Sequence, residues 1–239
     1  MDLIEGDCLP KLWEFDASGD RFDAIITSPP YNLGNSSGAG VQSITSTSLW
    51  SACRLGDGYS EHDDSMSGAD YFMWQKEILQ AMWNVLSDTG AIFYNHKPRI
   101  QHGQVTLPTE YNPGLPLRQI IIWDRGSRFN FSPTFFCPQH EWIMVYAKPG
   151  FRLNNQKASA IGDVWRIPPT RKEPHPVSFP EKLVRNILEN IPAQRVLDPF
   201  MGQGTVGKVC KELGLHFTGI DSDPHFVDVA KEHIGVNAV

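Results

Sequence analysis

The chain has 239 residues, a formal net charge of −6, 41% hydrophobic and 20% charged residues, an ordinary composition for a globular protein of one domain. No apolar run approaches a membrane span and no basic-then-apolar start predicts a secretion leader, so the expected location is the cytoplasm, with no membrane partner. Cys8, Cys53, Cys137 and Cys210 show no Cys-x-x-Cys spacing, which argues against a zinc site or a disulfide framework.

Charge is unevenly spread. Residues 96–185 hold 13 Lys/Arg against 6 Asp/Glu. A basic middle in an acidic chain is what a localised phosphate-contacting surface requires, although an uneven, solvated surface gives the same pattern.

In chain order, Asp2 to Gly6 reads as a strand and Leu9 to Phe15 as a short helix, with Asp7 suited to the N-cap. Phe22 to Thr27 is a short buried strand: Ile25 and Ile26 are β-branched, and Pro29 stops its continuation. The rest of the chain is organised around the loop that follows, Thr27-Ser28-Pro29-Pro30-Tyr31-Asn32. Two prolines fix φ and remove donors, so the loop is stiff and its carbonyls lack local partners. At the carboxyl end of a strand, where open α/β sheets build their sites, it offers the Ser28 hydroxyl, the Ser28 and Pro29 carbonyls and the Tyr31 ring. That set suits a planar ring carrying an exocyclic amine, with the oxygens accepting amine protons and Tyr31 stacking on the ring. A proline-rich turn around a buried tyrosine is the alternative.

Gly34 to Gly68 is rich in Gly and Ser with few apolar anchors, and is expected to form a mobile lid over the substrate. Ala69 to Leu86 is helical by the spacing of Phe72, Ile78, Leu79, Met82, Trp83, Val85 and Leu86. Ser87 to Gly90 ends it before a strand, Ala91 to Tyr94. Arg118 to Asp124 and Trp142 to Ala147 are further strands. Between them Arg125, Arg128, Phe129 and Phe131 interleave charge with aromatic surface, as single-strand contacts do and as a plugged surface loop also would. Cys137-Pro-Gln-His140-Glu141 falls short of a metal site. Gly150 to Pro174 has little periodicity and carries Arg152, Lys157, Arg166, Arg171 and Lys172.

His175 to Pro180 leads into a helix ending near Asn190, with Pro180 suited to its first turn. Arg195 to Asp198 is a strand running into Pro199-Phe200-Met201-Gly202-Gln203-Gly204-Thr205. Val206 to Leu213 is a helix, Phe217 to Ile220 a strand, and Asp221 stands at its end. This is a nucleotide-type βαβ unit, in which glycines admit the ligand to the backbone and the acid accepts from ribose hydroxyls. Gly202, Gly204 and Gly207 admit NAD on spacing alone. A phosphate loop also fits Gly202 to Lys208, except that Val209 stands where Ser or Thr would hold magnesium.

Two of these stretches resemble a known family. Thr27 to Asn32 resembles the (Asp/Asn/Ser)-Pro-Pro-(Tyr/Phe) motif of S-adenosylmethionine-dependent amino-methyltransferases. Asp198-Pro-Phe200-Met-Gly202-x-Gly204-Thr205, followed by Gly219-Ile-Asp221, resembles their cofactor motifs. Their order, Ser28–Tyr31 before the glycines, is similar to that of the permuted β group of DNA amino-methyltransferases, bacterial, archaeal or phage enzymes often found with restriction systems.

The resemblance implies an α/β, Rossmann-like class I methyltransferase fold: a mostly parallel seven-stranded sheet with one antiparallel strand, circularly permuted. It implies a single domain, with a catalytic half over about 1–149, a target-recognition segment over about 150–174 and a cofactor-binding half over about 175–239. The implied cofactor is S-adenosylmethionine, without a metal. Asp7 and Cys8 would lie at its adenine and Phe179 would close its methionine end. Asp198, Phe200, Gly202, Gly204 and Thr205 would line the site, and Asp221 would hold the ribose. Ser28, Pro29, Pro30 and Tyr31 would be catalytic. Double-stranded DNA is the implied partner, with contacts from Asn32, Arg125, Arg128, Arg166, Arg171 and Lys172. A cognate restriction endonuclease and a second copy of the chain are further partners.

The serine form of the motif is commoner in enzymes acting on cytosine, the aspartate form in those acting on adenine. The expected reaction is therefore methyl transfer to the 4-amino group of a flipped-out cytosine, with the 6-amino group of adenine as the alternative. A catalytically silent DNA-binding module and an NAD-dependent enzyme are the rival classes.

Overall fold

The computed structural model describes residues 1–32, 66–101, 103–126, 133–169 and 180–236. The elements, in order, are β1 (Asp2–Glu5), α1 (Cys8–Ser18), β2 (Phe22–Thr27), α2 (Gly68–Asn84), β3 (Leu86–His96), β4 (Arg99–Gln101) and β5 (Gln104–Thr106). A 3₁₀ turn at Pro108–Tyr111 leads to β6 (Leu117–Asp124), β7 (His140–Ala147), α3 (Gln156–Ser159), β8 (Val164–Arg166) and α4 (Glu181–Leu188). The chain closes with β9 (Arg195–Asp198), α5 (Thr205–Leu213), β10 (His216–Asp221) and α6 (Pro224–Ile234).

The main sheet has the order β1-β10-β9-β2-β3-β7-β6-β8. Only the β3–β7 and β6–β7 pairs in it are antiparallel, so β7 alone runs against the rest. Seven strands were expected. The eighth, β8, is a three-residue edge strand parallel to β6 from the segment whose sequence shows little periodicity, and three residues are too few for an alternation to show. The β4–β5 hairpin stands apart.

Period-2 alternation sends each central strand's side chains to two cores. Ala24, Ile26, Phe93 and Val196 face one core with Leu183 and Ile187 of α4, Val209 of α5 and Ala230 of α6. Ile25, Ile92, Tyr94 and Leu197 face the other, with Leu12 of α1 and Ile78 and Met82 of α2. The result is helix, sheet, helix, with β2 and β9 buried in the middle.

Two boundaries differ from expectation. Helix α2 stops at Asn84 and β3 begins at Leu86, where an interruption was expected over Ser87 to Gly90. Leu86 pairs with Phe22, and the register then jumps to Ala24 against Ala91. The intervening residues form a bulge, pinned by a hydrogen bond from Ser87 Oγ to Asp23 Oδ1 at 3.1 Å. Helix α6 was not anticipated, although its signals are ordinary: Asp223 accepts from the His225 N–H, Pro224 opens the first turn, and Gly235 closes it in the left-handed region. The expected lid over 34–68 lies almost entirely outside the described residues. Within it, Ser67 caps α2 by accepting from the Asp70 N–H.

Candidate active site

The sheet fixes where a ligand can go. From β9 the chain crosses through α5 to β10 on one side, and from β2 through α2 to β3 on the other. The β9–β2 pair is therefore the topological switch point, where open α/β sheets leave a crevice outside the carboxyl ends of the strands. Both singled-out loops leave from those ends. Thr27 Oγ1 donates to Asp198 Oδ1 at 2.7 Å, tying the two strand ends together inside the protein.

On the β9 side, Gly202 (φ 49°) and Gly204 (φ 81°) lie in the left-handed region. A Cβ at Gly202 would meet nothing within 4 Å, so this backbone fronts open space. A Cβ at Gly207 would stand 2.5 Å from Ile234 Cδ1 and 2.6 Å from Phe217 Cε1. That glycine serves the packing of α5 on α6 and β10. Thr205 Oγ1 is buried without a hydrogen-bond partner among the described residues.

Asp221 accepts from the Gly202 N–H at 2.9 Å and from the Asp223 N–H at 3.0 Å. Each of its oxygens keeps capacity for a further donor. Burial pushes its carboxyl above the usual range. Burial also takes Asp198 up to about 7, against the opposing hydrogen bonds from Thr27 and Phe200.

Asp7 is exposed and caps α1, accepting from the Leu9 N–H at 3.1 Å. It follows Gly6, whose N–H donates to the Asp221 carbonyl at 2.9 Å, so it borders the same crevice. The neighbouring Cys8 faces inward, and burial raises its thiol well above the ordinary value. The ring of Phe200 is half-buried, edge-on to Trp74 at 5.9 Å between centroids.

On the β2 side, the loop is held rigidly. Tyr71 of α2 donates its hydroxyl proton to the Pro30 carbonyl at 2.8 Å and accepts from Gln75 Nε2 at 2.7 Å. His96 Nδ1 accepts from the Lys97 N–H at 2.9 Å, which leaves the ring proton on Nε2, 2.9 Å from the Tyr71 oxygen. Burial lowers the His96 pKa to about 3, so this imidazole is a neutral strut. Arg99 Nη2 donates to the Asn32 carbonyl at 2.8 Å. Asn32 sits at φ 51° and donates its side-chain amide to the Met66 carbonyl at 2.9 Å. The Ser28 and Pro29 carbonyls take no donor among the described residues.

Tyr31 departs from expectation. It is 6% exposed, its ring is 4.6 Å from that of His96, and Lys97 Nζ stands 5.2 Å from its centroid. It presents no open face for stacking in this structure, because the pocket beneath the loop attracts its hydroxyl. Tyr31 Oη lies 3.0 Å from Ser28 Oγ, donates to Glu141 Oε2 at 3.0 Å and accepts from Asn95 Nδ2 at 2.6 Å. Asn95 Nδ2 also donates to Glu141 Oε2 at 2.8 Å. Burial, and then the negative Glu141, raise the Tyr31 pKa well above the ordinary value. Burial lowers the Lys97 ammonium from its usual range.

Of the residues expected to contact nucleic acid, Arg125 is turned inward and pairs with Glu141 Oε1 at 2.8 Å. Arg166 is exposed, 3.7 Å from Asp124. Arg128, Arg171 and Lys172, with Phe179, lie outside the described residues. Glu141 and Asn95 were missed by the sequence reading. Their signal was present: Asn95-His96 is a polar pair ending an apolar strand, and Glu141 is an acid opening one. Among the described residues no cluster of three His, Cys, Asp or Glu side chains has metal-binding spacing.

A family model described as DNA methylase matches residues 22–232. The type II methyltransferase M.BglII of Bacillus subtilis is 23% identical over 95% of this chain and 67% of its own length. M.HpaI of Haemophilus parainfluenzae is 25% identical over 90% and 68%. The fold is similar to that of the PvuII DNA methyltransferase (cytosine-N4-specific), with a TM-score of 0.71 at 14% identity, covering 98% of this chain and 86% of that one. It is also similar to a putative DNA modification methylase of Thermus thermophilus complexed with S-adenosyl-L-methionine, with a TM-score of 0.65 at 19% identity over 98% and 93%.

Proposed function

Because the chain belongs to the N6/N4 DNA methylase family, matched over residues 22–232, we propose that it transfers a methyl group from S-adenosylmethionine to the 4-amino group of cytosine in double-stranded DNA. The observation that carries this is the switch-point crevice, where the Ser28–Tyr31 loop and the Gly202–Gly204 loop leave adjacent parallel strands joined by the Thr27–Asp198 bond.

The residues fit the cofactor. Gly202 fronts open space, Thr205 Oγ1 is buried with no partner among the described residues, and Asp221 keeps acceptor capacity for ribose hydroxyls. When bound, the cofactor supplies an electrophilic methyl on a sulfonium. The protein's task is then chiefly positioning. Ser28 Oγ and the Pro29 carbonyl accept from the amine, drawing its nitrogen toward tetrahedral geometry and stabilising the charge that develops there. A base in a duplex cannot reach a site at strand ends, so it is flipped out.

Serine at the first motif position supports cytosine over adenine. The order of the two loops supports the permuted β group, and the type II names of the relatives support a cognate endonuclease. The segment over about 150–174, with exposed Arg166, is the target-recognition segment.

Incubation with unmethylated DNA and S-adenosylmethionine, followed by nucleoside mass spectrometry, tests this. The expected product is 4-methylcytosine. 6-Methyladenine would overturn the base assignment alone, and neither product would overturn the activity.

A further inference from the structure

We propose that Glu141 is a positioning residue that fixes the direction of a hydroxyl chain, Ser28 to Tyr31 to Glu141, and receives the proton that methyl transfer releases. The inference rests on the amino-methyltransferase reading of this site.

Three elements converge to build the chain: the loop after β2, the end of β3 and the start of β7. Glu141 is 4% exposed and Asn95 2%. A carboxylate can only accept, so the Tyr31 hydroxyl must donate to it. Asn95 Nδ2, held toward the same carboxylate at 2.8 Å, occupies the Tyr31 oxygen from another side as donor. The one proton Tyr31 owns is thereby committed to Glu141, and the contact at 3.0 Å between Ser28 Oγ and Tyr31 Oη must run from serine to tyrosine. Asn95 Nδ2 approaches Ser28 Oγ as a donor at 3.4 Å, and the serine keeps its other lone pair for the crevice. That is the orientation needed to accept from a substrate amine, and a free serine rotor would hold it only part of the time. Arg125, at 2.8 Å from Glu141 Oε1, balances the buried charge from the far side.

The same chain settles where the proton goes. The amine nitrogen forms its bond to the methyl carbon with its lone pair, as the carbon–sulfur bond breaks and leaves its electrons on sulfur. The nitrogen is now positive. Its N–H bond breaks with the pair returning to nitrogen, and the proton passes to Ser28 Oγ. Ser28 hands its own proton to Tyr31 Oη, and Tyr31 hands its proton to Glu141 Oε2, leaving a neutral carboxyl. Water removes that proton after the product leaves. Serine alone is a feeble base, and the carboxylate at the end of the chain supplies the missing basicity, as a base oriented through a neighbour does elsewhere. A buried tyrosine whose ionisation is strongly disfavoured passes a proton on and does not store one.

The test uses Glu141→Gln, Tyr31→Phe and the double variant in single-turnover methylation of unmethylated DNA. Cofactor and DNA dissociation constants and melting temperature are measured alongside. Each single variant is expected to slow the chemical step by about 10²-fold or more, with both dissociation constants within about threefold of wild type. The double variant is expected to be no slower than the slower single, because both cut one chain. Should Glu141→Gln fail to fold, Tyr31→Phe removes a single oxygen and reads the same chain. Rates near wild type would overturn the proposal, as would losses that multiply in the double variant or losses accompanied by lost cofactor binding. Wild-type protein that binds cofactor and makes neither methylated nucleoside would overturn the functional reading and this proposal with it.

Discussion

Asp198→Asn tests the electrostatics of the switch point without touching its shape. Asp198 is 2% exposed and accepts from Thr27 Oγ1 at 2.7 Å and from the Phe200 N–H at 3.1 Å. Burial raises its carboxyl from 3.8 to about 7. Between those values the folded chain keeps a proton that the unfolded chain has released, so stability falls as pH rises through the window. At about 1.4 kcal/mol per pKa unit, the penalty reaches roughly 4 kcal/mol above neutrality. It grows by roughly 2–3 kcal/mol between pH 5 and pH 8. Asparagine at this position retains an acceptor oxygen for both donors and does not titrate. Urea unfolding of both proteins at pH 5 and pH 8 should therefore find the variant gaining about 2–3 kcal/mol on wild type across that interval. A difference constant to within about 0.5 kcal/mol would refute the argument that Asp198 is held protonated by burial.

Ser28→Ala removes a hydroxyl aimed at developing charge, and should lower the methylation rate about 10²- to 10³-fold while leaving the melting temperature unchanged. Gly204→Ala places a methyl 2.9 Å from Ile234 Cδ1 and 3.0 Å from Ala230 Cβ at a φ of 81°. It should cost about 1–3 kcal/mol of stability in urea unfolding and weaken cofactor binding in calorimetry. His96, with its pKa lowered to about 3 by burial, should show no change in its ring proton shifts by NMR between pH 5 and pH 8. A titration near pH 6.5 would show that its pocket is wet.

Much of the framework was legible because the signals were local. Ile25-Ile26 before Pro29 marks a strand and its stop, and Gly202 and Gly204 after Asp198 mark a turn at left-handed angles that glycine adopts without strain. The βαβ spacing then places Asp221 at the next strand end. What stayed hidden depends on contacts distant in sequence. Tyr31 was read as a face stacking on a planar ring, with a buried tyrosine as the alternative, because four residues of loop cannot reveal a carboxylate on another strand, 110 residues away. Arg125 was read as a phosphate contact because its neighbours are basic and aromatic, yet the same Glu141 draws it inward. The bulge at Ser87 to Gly90 was read as a break because turn residues look alike whether they end a sheet pairing or shift it by a few positions.

The strand order also dictates when the molecule can assemble. β1 is made long before β10, yet β10 is its one neighbour in the main sheet among the described residues, through the pairing of Asp2 with Thr218. β2 and β3 can meet early. The other side of β2 waits for β9, which is made after β3 to β8. During translation the growing chain therefore carries two open sheet edges, and the crevice between the two loops does not yet exist. No nascent fragment lacking β9 can bring the Ser28–Tyr31 and Gly202–Gly204 loops side by side, so the crevice forms only once β9 has been made.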